Sequence, residues 1–284
     1  MNKLLNLNFW SEYSLIEWKA VKISVALFWF SLVTGSEIEP NGLPYPSGLF
    51  SFFGTPAFPS KYTVLLCSIF AAVLIVLYIA EKWMIATTFL MFLLSLVLFT
   101  MEESCGIQNR KGLVTMIFFA QSIAYLRNNH HLNEERIQFP IQIIAAGYFL
   151  AGLSKIKDSG LHWVLDGPQI SLQVMKSYSF SYFDTGNITE LNKGINYSEF
   201  ILHHTTILGV ILSTSLVFEL FAWLAVKNKL WAFIAGILLT AMHIGIFFSM
   251  DILIRGVFYP MVVFFVNPLY LVFVFTKSLW FRIK

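Results

Sequence analysis

The feature that most constrains this chain is the recurrence of apolar runs near 20 residues long. They are read at 20–36, 61–80, 83–101, 112–126, 139–156, 203–226, 230–249 and 256–276. A helix of about 20 apolar residues crosses the hydrocarbon core of a bilayer, where each backbone N–H and C=O has to be satisfied within its own segment. The expected fold is therefore all-α and polytopic: a single domain over 1–284, a bundle of about eight transmembrane helices with a long extracytoplasmic loop at 157–200. The run at 112–126 is the shortest. Charged residues make up 12% of the chain, about half the soluble average. The first apolar run lacks the charged, apolar, small-residue order of a cleaved signal and is expected to stay in the membrane.

Basic residues set the expected orientation. With both termini in the cytoplasm, Lys19, Lys22, Lys82, Arg127, Arg136, Lys227 and Lys229 lie inside, and the longer outer connections keep fewer. The first of these outer connections, 36–60, mixes five prolines with Leu49, Phe50, Phe52, Phe53 and Phe58 and is expected to fold back as a lid. In the third, Gln169, Gln173 and Lys176 share one helical face and Ile170, Val174 and Met175 another, the pattern of a piece lying flat at the interface.

Several function classes lack support. The net charge of +3 is scattered rather than gathered into a basic stripe, so no nucleic-acid partner is expected. Cys67 falls in an apolar run and Cys105 in a loop, which suits neither a disulfide nor a metal. His130-His131 and His203-His204 are adjacent pairs whose members point about 100° apart on a helix, so no metal is expected. No GxSxG, HExxH, CxxC or glycine-rich phosphate loop occurs.

The segment 139–167 carries the candidate chemistry. Tyr148, Ala151, Gly152 and Lys155 recur at i, i+3, i+4 and i+7, which sets the lysine on a face small enough for another helix to approach. Two readings of Lys155 follow. It is either a snorkelling cap at the interface or a desolvated lysine usable as a base. Glu219 lies well inside the sixth run and His243 inside the seventh; each is a functional candidate or a structurally satisfied group. Gly236, Thr240 and His243 form a second stripe. Near the same end of the bundle fall His162, Asp166, His203, His204, Asp251 and Arg255.

The block Tyr148-Phe149-Leu150-Ala151-Gly152-Leu153-Ser154-Lys155 followed by Trp163, then Glu219, His243 and the run Ile254-Arg255-Gly256-Val257-Phe258-Tyr259-Pro260, resembles the membrane domain of vitamin K-dependent γ-carboxylases and the wider HTTM transmembrane family. The resemblance implies that Lys155 is a catalytic base assisted by His243. It also implies that Trp163, Glu219 and Arg255 hold the cofactor, a reduced quinone of the vitamin K kind. Carboxylation of peptide glutamate would be the most specific form of that chemistry.

The sequence departs from the family pattern in three places. Gln108-Asn109-Arg110-Lys111 has no histidine where the family has Asn-His, Ile244-Gly245-Ile246-Phe247 lacks an asparagine after His243, and no large substrate-binding domain precedes Lys284. Fold is thus a safer inheritance than reaction. Two readings result. One is an enzyme working on a quinol or lipid-borne substrate from the bilayer. The other is a non-catalytic protein for maturation, export or immunity of a secreted bacterial peptide. In both, the expected place is a bacterial inner membrane.

Overall fold

The computed structural model describes residues 13–36, 61–104, 111–127, 132–165, 167–250 and 254–283, and every element among them is helical. The elements are α1 Leu15–Thr34, α2 Lys61–Ile79, α3 Met84–Ser104, α4 Gly112–Arg127 and α5 Leu132–Ser159, then α6 Gly167–Thr185 and α7 Ile188–His203. They continue with α8 Thr205–Phe221, α9 Lys229–Met250, α10 Arg255–Met261 and α11 Pro268–Ile283. The expected lid at 36–60 lies outside the described residues apart from Ser36.

All eight apolar runs are helical over most of their length. Among the described residues five stretches are long and apolar enough to cross a membrane: Met84–Ser104, Glu134–Ser159, Thr205–Val226, Lys229–Phe248 and Arg255–Thr276. The chain has the make-up of an integral, multi-pass membrane protein. The expected count of eight is not reached on these criteria, for physical reasons. Glu17, Lys19 and Lys22 crowd the start of α1, and Val64–Ile79 and Gly112–Arg127 are shorter apolar helices. The last stretch is also not one rod. After a π-helical turn at Val262–Val266 the backbone turns at Asn267, whose φ of 52° is left-handed, and Pro268 starts a new helix.

The expected long loop at 157–200 is instead ordered chain. A 3₁₀ turn at Gly160–Leu165 leads into α6 and α7, which pack as an antiparallel hairpin. Gly194 permits the approach, since a Cβ there would lie 2.7 Å from the Tyr178 Cβ.

The core is aromatic. Trp18, Trp29, Tyr78, Phe99, Phe118 and Phe264 are its largest fully buried side chains. Several meet edge-on: Trp29 on Phe118 at 5.5 Å and Tyr78 on Phe118 at 6.1 Å between centroids. Two polar tips in this core are paired. The Trp29 indole donates to Ser95 Oγ at 2.6 Å, and the Tyr78 hydroxyl donates to Gln121 Oε1 at 2.9 Å.

One end of the bundle gathers the charges. Ser14 and Glu17 form a capping box that starts α1, and Glu17 also accepts from Lys229 of α9 at 2.6 Å. Asn267 donates to the Glu17 carbonyl at 3.1 Å. One turn along α1, Lys22 donates to Glu81 at 2.7 Å and to the Ile79 carbonyl at 2.8 Å, and the Trp18 indole donates to Glu81 at 2.9 Å. Glu81 reaches them from a tight turn with φ 55°. The Arg136 guanidinium lies 4.4 Å over the Trp18 ring. The N-terminal turns of α1 are thereby tied to the α2–α3 turn, to α5, to α9 and to the break at Asn267.

Charge removal at this end has a calculable cost. The Lys229 and Glu17 side chains are 9% and 3% exposed, so Lys229→Met strands a buried carboxylate and costs about 3–5 kcal/mol. E17Q/K229M, which keeps a capping-box residue without charge, loses less. Thermal unfolding in detergent measures this, and a double variant as unstable as Lys229→Met refutes it.

Burial pushes the Glu81 carboxyl up, but the hydrogen bonds from Lys22 and Trp18 and the charges of Lys22 and Arg136 outweigh it and hold the group below its ordinary 4.5. A carboxyl depressed on folding contributes stability in full above the unfolded value and loses it as pH falls through the folded one. The unfolding temperature should therefore drop on acidification from about pH 5 to about pH 3 by more in the wild type than in Glu81→Gln.

Candidate functional site

At about 28 Å along α5 from Arg136, three helices bring polar groups together. Lys155 of α5 donates to both carboxylate oxygens of Glu219 on α8, at 2.5 and 2.6 Å. Tyr148, two turns earlier on α5, is hydrogen-bonded through its hydroxyl to Nε2 of His243 on α9 at 2.6 Å. Lys155 and His243, expected to act together, fall at the same end of α5 and α9, where Lys155 pairs with Glu219 and His243 with Tyr148.

Gly152 makes the assembly possible. It lies between Tyr148 and Lys155 on the buried face, and a Cβ there would stand 3.1 Å from Leu220 Cδ2 and 3.3 Å from the Glu219 Cβ. Without a side chain, α5 and α8 approach closely enough for the lysine to reach the carboxylate. The expected seam of small residues is narrower than its spacing suggested: Tyr148 and Gly152 are buried, while Ala151 is exposed. The second stripe faces a neighbour throughout its length. A Cβ on Gly236 would lie 2.7 Å from the Phe265 Cβ, Thr240 Oγ1 contacts Met261 Sδ at 3.6 Å, and the His243 ring meets Phe258 edge-on at 5.8 Å.

Exposure differs across the cluster. The Glu219 side chain is 6% exposed and that of Lys155 26%; His243 and Tyr148 are buried. The lysine thus lies at the mouth of the site and the histidine at its back. Leu150 and Leu153 on α5, with Val217 and Phe221 on α8, are exposed apolar residues of the same two helices. An ammonium bonded to both oxygens of a carboxylate is a strong charge-assisted pair, and it satisfies two groups that an apolar medium tolerates poorly singly. Chemically the cluster offers a charge-assisted pair, Lys155–Glu219, and a separate hydrogen bond, Tyr148–His243.

The other expected site residues are placed as follows. Arg255 is exposed at the first position of α10, one turn before Phe258. Trp163 lies in the 3₁₀ turn after α5, with its side chain outside the described ones. Asp166, Asp251, His130, His131 and Cys105 lie outside the described residues. His162 is exposed, and His204 stacks on Phe200 at 4.2 Å between centroids at the junction of α7 and α8. Among the described residues no three His, Cys, Asp or Glu side chains converge as a metal site would require.

Tyr148 was visible in the sequence as a member of the lysine's face, two turns away, but its bond to His243 spans 95 positions. No local spacing carries such a signal.

No family model matches this chain, and neither a curated protein nor a solved structure matches it.

Two substitutions separate packing from hydrogen bonding. Gly152→Val should wedge α5 from α8 and cost about 1–3 kcal/mol through overpacking. Tyr148→Phe keeps the ring but leaves Nε2 of the buried His243 unpaired, at a cost of about 1–3 kcal/mol. Unfolding temperature in detergent reads both, and wild-type stability in Gly152→Val would show that the helices do not close on this glycine.

Proposed function

We propose that this chain is a membrane-embedded enzyme in which Lys155 acts as a base on a quinol-like or lipid-borne substrate reached from the bilayer. The observation that carries the reading is the Lys155–Glu219 pair between α5 and α8, with the Tyr148–His243 hydrogen bond two turns earlier on α5. A snorkelling cap would put its ammonium in the headgroup layer with solvent or phosphate, whereas this one is turned back onto a carboxylate between two helices.

The residues fit a reduced quinone by their donor set. A phenolic hydroxyl needs a base at hydrogen-bond distance, and the Lys155 side chain is the more exposed member of its pair. When bound, a reduced quinone supplies an acidic hydroxyl and, with oxygen, a route to a stronger base. Lys155 does the protein's part. In the form of the pair whose proton rests on Glu219, its amine takes the hydroxyl proton at Nζ and becomes ammonium. Glu219, carrying its own proton in this form, orients the amine and accepts a hydrogen bond from the resulting ammonium through its carbonyl oxygen, while the substrate oxyanion carries the balancing charge. His243, held by Tyr148, keeps the back of the site polar without adding a fixed charge. Carboxylation of peptide glutamate is the most specific form of this proposal, with Trp163 and Arg255 as further quinol-holding residues and a bacterial inner membrane as the place.

The test uses the full chain in nanodiscs with a reduced naphthoquinone under oxygen, following quinol consumption against empty discs. Guanidinium does not release its proton near neutrality, so Lys155→Arg should lose turnover to the empty-disc level while its unfolding temperature stays near wild type, and Lys155→Ala should behave alike. Full function in Lys155→Arg would reduce the lysine to an anchor. The reading as a protein for maturation, export or immunity of a secreted peptide would then take precedence.

A further inference from the structure

The α6–α7 hairpin presents a face that the bundle does not use. On α6, Ser171, Val174 and Tyr178 are buried, and Val174 and Tyr178 form a small core with Ile170, with Ile201 of α7 and with Leu208 of α8. Directly opposite, Leu172, Lys176, Phe180 and Phe183 follow one another at i, i+4, i+8 and i+11 and line a single stripe. Leu172 is 65% exposed, Phe180 58% and Phe183 77%. The one charge on the stripe, Lys176, holds its ammonium 5.7 Å over the Phe180 ring. On α7 the positions turned away from its buried Gly194 and Ile201 are polar and exposed: Asn192, Asn196 and Glu199.

We infer that α6 lies in the headgroup layer of the bilayer, with Leu172, Phe180 and Phe183 among the upper acyl chains and Lys176 on a lipid phosphate, while α7 covers it on the aqueous side.

Three observations select this occupant. The first is continuity: the hairpin is tethered at both ends to exposed apolar surface, Leu165 just before α6 and Ile207, Val210 and Ile211 in the membrane-long stretch that follows α7. A second is charge. A cationic lysine flanked by large apolar side chains is the pattern of an interfacial helix, where the stem lies along the apolar layer and the ammonium meets phosphate. A second copy docking the same face symmetrically would set Lys176 against Lys176. The third is a difference across the hairpin: the stripe on α6 carries three large apolar side chains beside Gln169, whereas the strip of α7 opposite its buried face carries Asn192, Asn196 and Glu199, flanked by Ile188, Ile195 and Phe200.

This makes the hairpin a paddle on the membrane surface, joined through the 3₁₀ turn to the helix that bears Lys155. Its position does not depend on what the Lys155 site does.

The experiment places nitroxide labels on the full chain in phosphatidylcholine nanodiscs, in a background where Cys67 and Cys105 are replaced by serine. Leu172→Cys and Phe183→Cys report the stripe and Asn192→Cys the opposite side. Labels at 172 and 183 should collide with oxygen several-fold more effectively, relative to a water-soluble nickel chelate, than the label at 192. As a second measurement, Phe183→Trp should add fluorescence that lipids brominated high on the acyl chain quench and aqueous acrylamide does not. Nickel access at 172 and 183 equal to that at 192, or added fluorescence in Phe183→Trp quenched by acrylamide alone, overturns the inference. So does spin–spin broadening at 172, which would assign the face to a second copy of the chain.

Discussion

The structure depends on pairing charge inside an apolar medium. An unpaired ion in a bilayer or a helix-bundle core costs several kcal/mol, and partnering is what makes it tolerable. Here Glu17 has Lys229, Lys22 has Glu81, Lys155 has Glu219 and Lys111 has Glu102, each at 2.5 to 2.7 Å. None of these partners is close in sequence except Glu102 and Lys111. Each pair therefore acts as a register pin between elements that apolar packing alone would let slide or rotate, because lipid offers helices little hydrophobic reason to choose one face over another.

The two ends of the bundle use this device differently. At the end where α1 begins, Glu17 and Lys229 are both closed off, and Trp18, Glu81 and Arg136 complete a network with aromatic walls. Its members hold one another in place, and the break at Asn267 is fastened to it through the Glu17 carbonyl. At the Lys155 end the carboxylate is buried and the lysine half-buried. Such asymmetry is not peculiar to this end, since Lys22 and Glu81 are 8% and 38% exposed; what sets the Lys155 end apart is a second polar pair, Tyr148 with His243, on the same helix α5.

Small residues decide where helices come close enough for such pairs to form. Gly152 brings α5 onto α8, Gly236 brings α9 onto the π-helical turn beside α10, and Gly194 closes the hairpin. The polar contacts follow within one or two turns of the first two glycines: Lys155 with Glu219, and Thr240 with Met261.

The sequence by itself determined the class of fold, because an apolar run of bilayer length can satisfy its backbone only as helix, and length and hydropathy are local properties. It also determined which polar residues had to be explained: Lys155, Glu219 and His243 stand out wherever the surrounding chain is apolar. The tertiary structure decided the rest. Which ammonium meets which carboxylate depends on helix rotation and neighbour choice across 64 positions for Lys155 and Glu219, and no period in the chain encodes that. The recruitment of Tyr148 to His243, the break at Asn267 within a stretch that hydropathy reads as continuous, and the folding of 167–203 into a hairpin rather than a loop arise in the same way. Each is settled by what packs against the segment, and the segment's own composition is compatible with more than one outcome.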